Sequence, residues 1–142
     1  MLANLLIDTG AIIAILDRRD RWHDACSRAI RQLRLPALTS EAVLTEVFYL
    51  LGRTRVDLEV AWNFVLSGPI QLATIHHSEL AHIASLMSRY RDCPMDFADA
   101  TLVYLAERES LSVILTVDRA DFSTYRIAGR RRFQIIPSEN PK

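Results

Sequence analysis

Short apolar runs alternate with stretches of helical periodicity along these 142 residues, and that alternation restricts the fold more than any single side chain does. Strand, helix and strand in succession close a parallel sheet whose strands are covered on both faces. Leu5 to Ile7 is apolar and too short for a helix, so it predicts a buried strand. Thr9-Gly10 then turns the chain into a helix over Ala11 to Leu16. Asp20 is expected to cap a second helix with the stripe Trp22, Ala25, Cys26, Ala29, Ile30 and Leu33, ended by Pro36. Ala37 to Thr39 predicts a second strand. Ser40 caps a third helix with Val43, Leu44, Val47, Phe48 and Leu51 on its inner face and Glu46 at the edge of that stripe. A fourth helix runs from Asp57 to Leu66, Ser67-Gly68-Pro69 breaks it, and Ile70 to Ile75 predicts a third strand. Ser78 opens a fifth helix carrying Leu80, Ile83, Ala84, Leu86 and Met87. Beyond the Asp92-Cys93-Pro94 break come the helix bearing Asp96 and Asp99, the strand Val113 to Val117, an Asp-rich turn, the run Arg130-Arg131-Arg132 and a last strand Phe133 to Ile136. Residues 1–142 are expected to form one domain with a real core, half of the chain being apolar.

In open sheets of this kind ligands bind beyond the carboxyl ends of the strands, where the strand order reverses. Asp8 closes the first strand and Asp118 the fourth, so both fall on that rim if their strands are neighbours. Asp99 lies on an apolar stripe with Leu102, Val103 and Ala106, where a carboxylate costs several kcal/mol unless something pairs with it. Asp96, one turn back, is expected to point inward with it. Carboxylates converging on one place repel unless some are protonated or a cation joins them. Magnesium or manganese prefers such oxygen ligands and, with a phosphodiester bound, supports hydrolysis by an activated water.

Each acid also has a structural reading. Asp8 before Thr9-Gly10 suits a helix N-terminus, Asp118 suits a cap on Arg119 to Phe122, and Asp121 suits an exposed turn. Asp96 stands at the capping offset from Asp99, and Glu46 at a stripe edge fits solvation. The joint pattern is less easily explained in this way than any member.

Seventeen basic and seventeen acidic residues give zero net charge, which excludes a strongly basic nucleic-acid grip over the whole surface. Lys142 is the single lysine, the other basic residues being arginines. Codon bias accounts for that composition and so does phosphate recognition by arginine forks. Arg130, Arg131 and Arg132 fit a solvated face or, beside an acidic site, a hold on a nucleic-acid backbone. Cys26 and Cys93 are isolated, with no zinc spacing or disulfide framework, which points to a reducing cytoplasm. Met1 to Leu16 is broken by Asn4 and Asp8 and carries no basic leader, unlike a signal peptide. No run is long enough to span a bilayer. His23, His76, His77 and His82 lack metalloprotease spacing, phosphate-binding and nucleophile-elbow motifs are absent, and Trp22 and Phe48 fit the core.

Four pieces in order, Leu6-Ile7-Asp8-Thr9, Leu44-Thr45-Glu46-Val47, Met95-Asp96-Phe97-Ala98-Asp99-Ala100 and Leu115-Thr116-Val117-Asp118-Arg119-Ala120-Asp121-Phe122, resemble the PIN-domain ribonucleases, especially small VapC-type toxins. The resemblance implies a single PIN-like α/β domain, with a five-stranded parallel sheet flanked by helices on both faces. It implies Mg2+ or Mn2+ held by Asp8, Glu46, Asp99 and Asp118, with Asp8 and Asp99 the more direct ligands. Thr9, Thr116, Asp96 and Asp121 are then supporting groups. It also implies an RNA substrate, a homodimer and silencing by a small antitoxin protein. Where many relatives carry a polar residue two positions after the first acid, this chain has Gly10, so support there falls to Thr9 or backbone amides. A receiver domain needs a lysine beside its acceptor, and a haloacid-dehalogenase-like phosphatase needs an Asp at position 10. The remaining alternative is a non-catalytic PIN-like module that binds RNA or protein, although such a module is expected to have lost acids.

Overall fold

The computed structural model describes residues 3–138, so Lys142 and the ends of the predicted domain lie outside the described residues. The order of elements is β1 (Leu5–Ile7), α1 (Thr9–Leu16), α2 (His23–Gln32), β2 (Ala37–Ser40), α3 (Glu41–Leu51), α4 (Leu58–Leu66), β3 (Ile70–Ala73), a 3-10 turn (His77–Glu79), α5 (Leu80–Arg89), α6 (Phe97–Arg108), β4 (Val113–Leu115), α7 (Arg119–Thr124), β5 (Arg126–Ile127), β6 (Arg131–Arg132) and β7 (Gln134–Ile136). Strands β3-β2-β1-β4-β7 form one sheet in that order, and every pairing in it is parallel. All three residues of β1 and all four of β2 are buried, as a sheet covered on both faces requires.

The order reverses between β1 and β4. The chain steps outward from β1 through β2 to β3, then returns to lay β4 and β7 on the opposite side. Ile7 is paired with Leu115, and the Asp8 amide donates to the Leu115 carbonyl at 3.1 Å. The residues that follow both strands therefore emerge side by side at the switch point.

Several boundaries differ from the sequence reading for local reasons. Helix α1 begins at Thr9 rather than Ala11, because Asp8 caps it directly. Asp20 does not cap α2; its carboxylate accepts from the Trp22 amide in the preceding turn, and Trp22 occupies the cap position. The third strand stops at Ala73, short of Ile75. Glu79 reaches back to the His76 amide at 2.7 Å, so the turn into α5 starts before Ser78. The Asp-rich turn closes into the six-residue helix α7, and the arginine run forms one arm of an antiparallel hairpin, with Arg126 opposite Arg132. Trp22 and Phe48 are only half-buried, and Phe48 stacks on the exposed Trp62 with ring centroids 4.7 Å apart.

Helix α6 is buried from Ala98 through Ala106 without interruption, so it is a core helix and its apolar stripe is not confined to one face. Position 10 is closed by the same packing. A Cβ on Gly10 would lie 2.5 Å from Val117 Cγ2, which explains why no side chain follows Asp8 at that offset. Gly10→Ala is expected to destabilise the chain by about 1–3 kcal/mol through overpacking. Urea unfolding checks this, and an unchanged midpoint would show that Val117 yields freely.

Candidate active site

Asp8 ends β1 and caps α1 with extended backbone, its Oδ1 accepting from the Thr9 amide at 2.7 Å. Its Oδ2 accepts from the Thr116 hydroxyl at 3.0 Å. Thr116 is fully buried and also accepts from the Asp118 amide at 3.0 Å, so one hydroxyl ties the ends of β1 and β4 together. The Thr9 hydroxyl donates to Glu46 Oε1 at 3.3 Å, which brings in the middle of α3.

The opposite wall comes from α6 and α7. Asp96 caps α6, its Oδ1 accepting from the Asp99 amide at 2.8 Å. Asp96 is exposed and does not point inward with Asp99, because the capping position lies outside the buried helix. Asp99 is only 8% exposed, and its Oδ2 accepts from the Tyr125 hydroxyl at 3.0 Å. Asp118 caps α7 through the Asp121 amide at 3.2 Å, and this short helix turns Asp121 back toward its own cap.

Carboxylate oxygens of Asp99, Asp118 and Asp121 lie within 4.8 Å of one another. Asp8 stands beside this trio rather than in it. Asp8 and Asp99 are the acids expected to ligate a metal most directly; each Asp8 oxygen accepts one hydrogen bond and keeps a lone pair for a cation, and Asp121 adds a further carboxylate beside Asp99 and Asp118.

Burial pushes the Asp99 carboxyl up to about 8, and the charges of Asp8, Asp96 and Asp118 push in the same direction against the Tyr125 hydrogen bond. Burial also pushes Asp8 up to about 6, reinforced by Asp118 and Glu46 and opposed by its bonds to Thr9 and Thr116. Glu46 is raised by burial and then by Asp96. Asp121 is raised by burial and by its neighbour Asp118. None of the ion pairs among the described residues includes these acids. A group of hard oxygen donors, Asp99 buried and Asp118 and Asp121 half-buried, with no ion-paired cationic side chain among the described residues, fits a divalent cation of the magnesium or manganese kind.

Two parts of this arrangement escaped sequence reasoning. Tyr125 has no motif to mark it and reads as one more core aromatic. Ser40, at the end of β2, is joined to Thr101 of α6 by a 2.7 Å hydroxyl bond that anchors the acidic helix to the sheet. Arg130, Arg131 and Arg132 are exposed on the hairpin, and the position a Cβ on Gly129 would take is 3.5 Å from Arg89 Nη1, which adds a basic group from α5. The histidines hold other elements: His23 contacts the Ala14 carbonyl and His82 pairs with Glu107.

A family model described as the PIN domain matches residues 5–128. Over 135 residues the chain is 36% identical to Ribonuclease VapC26 of Mycobacterium tuberculosis, covering 94% of this chain and all of that protein. The crystal structure of Mycobacterium tuberculosis VapC20, a sarcin-ricin loop cleaving toxin, superposes with a TM-score of 0.74 at 19% identity, covering 82% of this chain and 92% of that one. The second likeness speaks for the fold.

Proposed function

Since the chain belongs to the PIN-domain family, we propose that it is a metal-dependent endoribonuclease acting as the toxin of a toxin–antitoxin pair. The observation that carries this reading is the carboxylate trio of buried Asp99 and half-buried Asp118 and Asp121, which makes no ion pair among the described residues, in a chain 36% identical to a ribonuclease over nearly its whole length. In this proposal Asp8, Asp99 and Asp118 hold Mg2+ or Mn2+, Glu46 completes the set, and Asp121, grouped with Asp99 and Asp118, adds a further carboxylate. Bound there, the cation supplies a Lewis acid for a phosphodiester oxygen and a water acidic enough to lose its proton.

The protein groups supply position and charge. Thr116 fixes Asp8 against the Asp118 backbone, Thr9 restrains Glu46, and Asp96 holds the first turn of α6 so that Asp99 faces the cluster. Arg130, Arg131 and Arg132 lie on an exposed hairpin suited to the RNA backbone, in keeping with the preference of guanidinium groups for phosphate. A small antitoxin protein covering the acidic groove, a homodimer and a cytoplasmic setting belong to the same reading. Two unpaired cysteines agree with a reducing compartment. No helix among the described residues is long and apolar enough to cross a membrane. Sedimentation of the purified chain tests the dimer.

The deciding experiment incubates purified protein with a pool of structured and single-stranded RNAs, with manganese or with chelator. Cutting is expected with manganese alone. Replacing the three hairpin arginines by glutamine is expected to weaken RNA binding and flatten its salt dependence. Equal background in all lanes, with a melting temperature indifferent to manganese, would leave a module that binds without cutting.

A further inference from the structure

We propose that Tyr125 is a positioning residue for Asp99, and that its hydroxyl strengthens the hold of the acidic cluster on a divalent cation. The proposal rests on the metal site described under Proposed function. Tyr125 is fully buried, and its hydroxyl has one partner among the described residues, Asp99 Oδ2 at 3.0 Å. That bond occupies one carboxylate oxygen, and no protein hydrogen bond among the described residues reaches Oδ1. A buried tyrosine hydroxyl needs an acceptor, and a backbone carbonyl would serve. Here the acceptor is a member of the carboxylate trio.

The ring that carries this hydroxyl is fixed from two sides. It meets Phe122 edge to face with centroids 5.2 Å apart at 85°, and Tyr90 at 5.2 Å and 73°. Phe122 meets Phe133 at 5.4 Å and 88° in the same way. The backbone on either side is held as well. The Tyr125 amide donates to the Asp121 carbonyl at 3.0 Å, and the Arg126 amide donates to the Tyr90 hydroxyl at 2.9 Å. One rigid unit therefore carries both Asp121, a member of the trio, and the donor that sets the orientation of Asp99.

Groups that hydrogen-bond to metal ligands fix the geometry of those ligands, and their loss typically weakens metal binding by about 10–100-fold. Tyr125→Phe removes the hydroxyl and keeps the ring. Tyr104→Phe removes a hydroxyl that donates to Glu79 Oε1 at 2.7 Å, outside the cluster and the aromatic stack, and serves as the control. Manganese binding to chelator-stripped protein is followed by the electron paramagnetic resonance signal of the free ion.

Tyr125→Phe is expected to raise the Kd for manganese about tenfold or more, to lose cleavage at low manganese and to recover it as manganese is raised. Tyr104→Phe is expected to bind as the wild type does. In the wild type, the slowly exchanging Tyr125 hydroxyl proton is expected to shift in the NMR spectrum on addition of magnesium, a readout that needs no variant. Equal manganese affinity in Tyr125→Phe and wild type overturns the proposal, as does a hydroxyl resonance indifferent to magnesium. A wild-type protein that binds no manganese overturns the metal reading itself and this proposal with it.

Discussion

Asp99→Asn is expected to abolish manganese-dependent RNA cleavage and, in chelator at pH 8, to raise the melting temperature above that of the wild type. A Lewis-acid contribution is worth several kcal/mol, and about 1.4 kcal/mol is a factor of ten in rate, so activity should fall at least a hundredfold. The opposite effect on stability follows from burial. Asp99 sits in the core helix α6 within the field of Asp8, Asp96 and Asp118, and its carboxyl is pushed up to about 8 by desolvation first and those charges second. Asparagine has nearly the same shape, still offers an oxygen to the Tyr125 hydroxyl, and carries no charge to be repelled. Thermal unfolding and a cleavage assay on the same preparation check both halves. A variant that loses stability along with activity would mark Asp99 as a structural carboxylate.

Raising the pH is expected to destabilise the metal-free protein across neutrality, and manganese is expected to reverse that trend. Asp99 and Asp8 are both raised, to about 8 and about 6, from an ordinary value of 3.8. The folded chain thus holds protons that the unfolded chain has already released. Between about pH 4 and the folded values, deprotonation favours the unfolded state at about 1.4 kcal/mol per proton and pH unit. Stability in chelator is then greatest on the acid side of neutrality, falls through pH 6 for Asp8 and through pH 8 for Asp99, and levels off above. Manganese competes with those protons, so its stabilising effect should be small near pH 5 and reach several degrees near pH 8.5. Melting curves at four pH values with chelator and with manganese test this. A chelator curve flat from pH 5 to 8.5 would show that the acids do not share one field.

The parallel sheet was legible in the sequence because β1, β2 and β4 are short apolar runs followed by capping residues, and period and caps are local signals. Asp99 was legible because an acid among Leu102, Val103 and Ala106 breaks the apolar pattern. Asp96 has the same spacing, yet it lies outside the helix as its cap, and a one-residue shift of the helix start decides between those positions. Asp121 could be read as a supporting acid but not as a member of the trio, since only the closure of α7 folds it against Asp118. The β5–β6 hairpin was hidden because two-residue strands carry no periodicity, and Tyr125 because its meaning comes from a carboxylate 26 positions away. The tertiary bond from Thr116 that fixes Asp8 was not legible, since no local pattern encodes it.

The central place of β1 bears on how the protein is made. Its neighbours in the sheet are β2 on one side and β4 on the other, and the bond from Thr116 to Asp8 spans 108 positions. Asp8 is therefore translated 108 residues ahead of its partner Thr116, and the pocket waits for residues 113 to 125 before it closes. Loops this long are slow to close, and a sheet completed from its centre outward leaves no intermediate with the whole site. A chain cut between Asp8 and Thr116 thus cannot assemble the cluster, which comes into being only once residues 113 to 125 have joined the sheet.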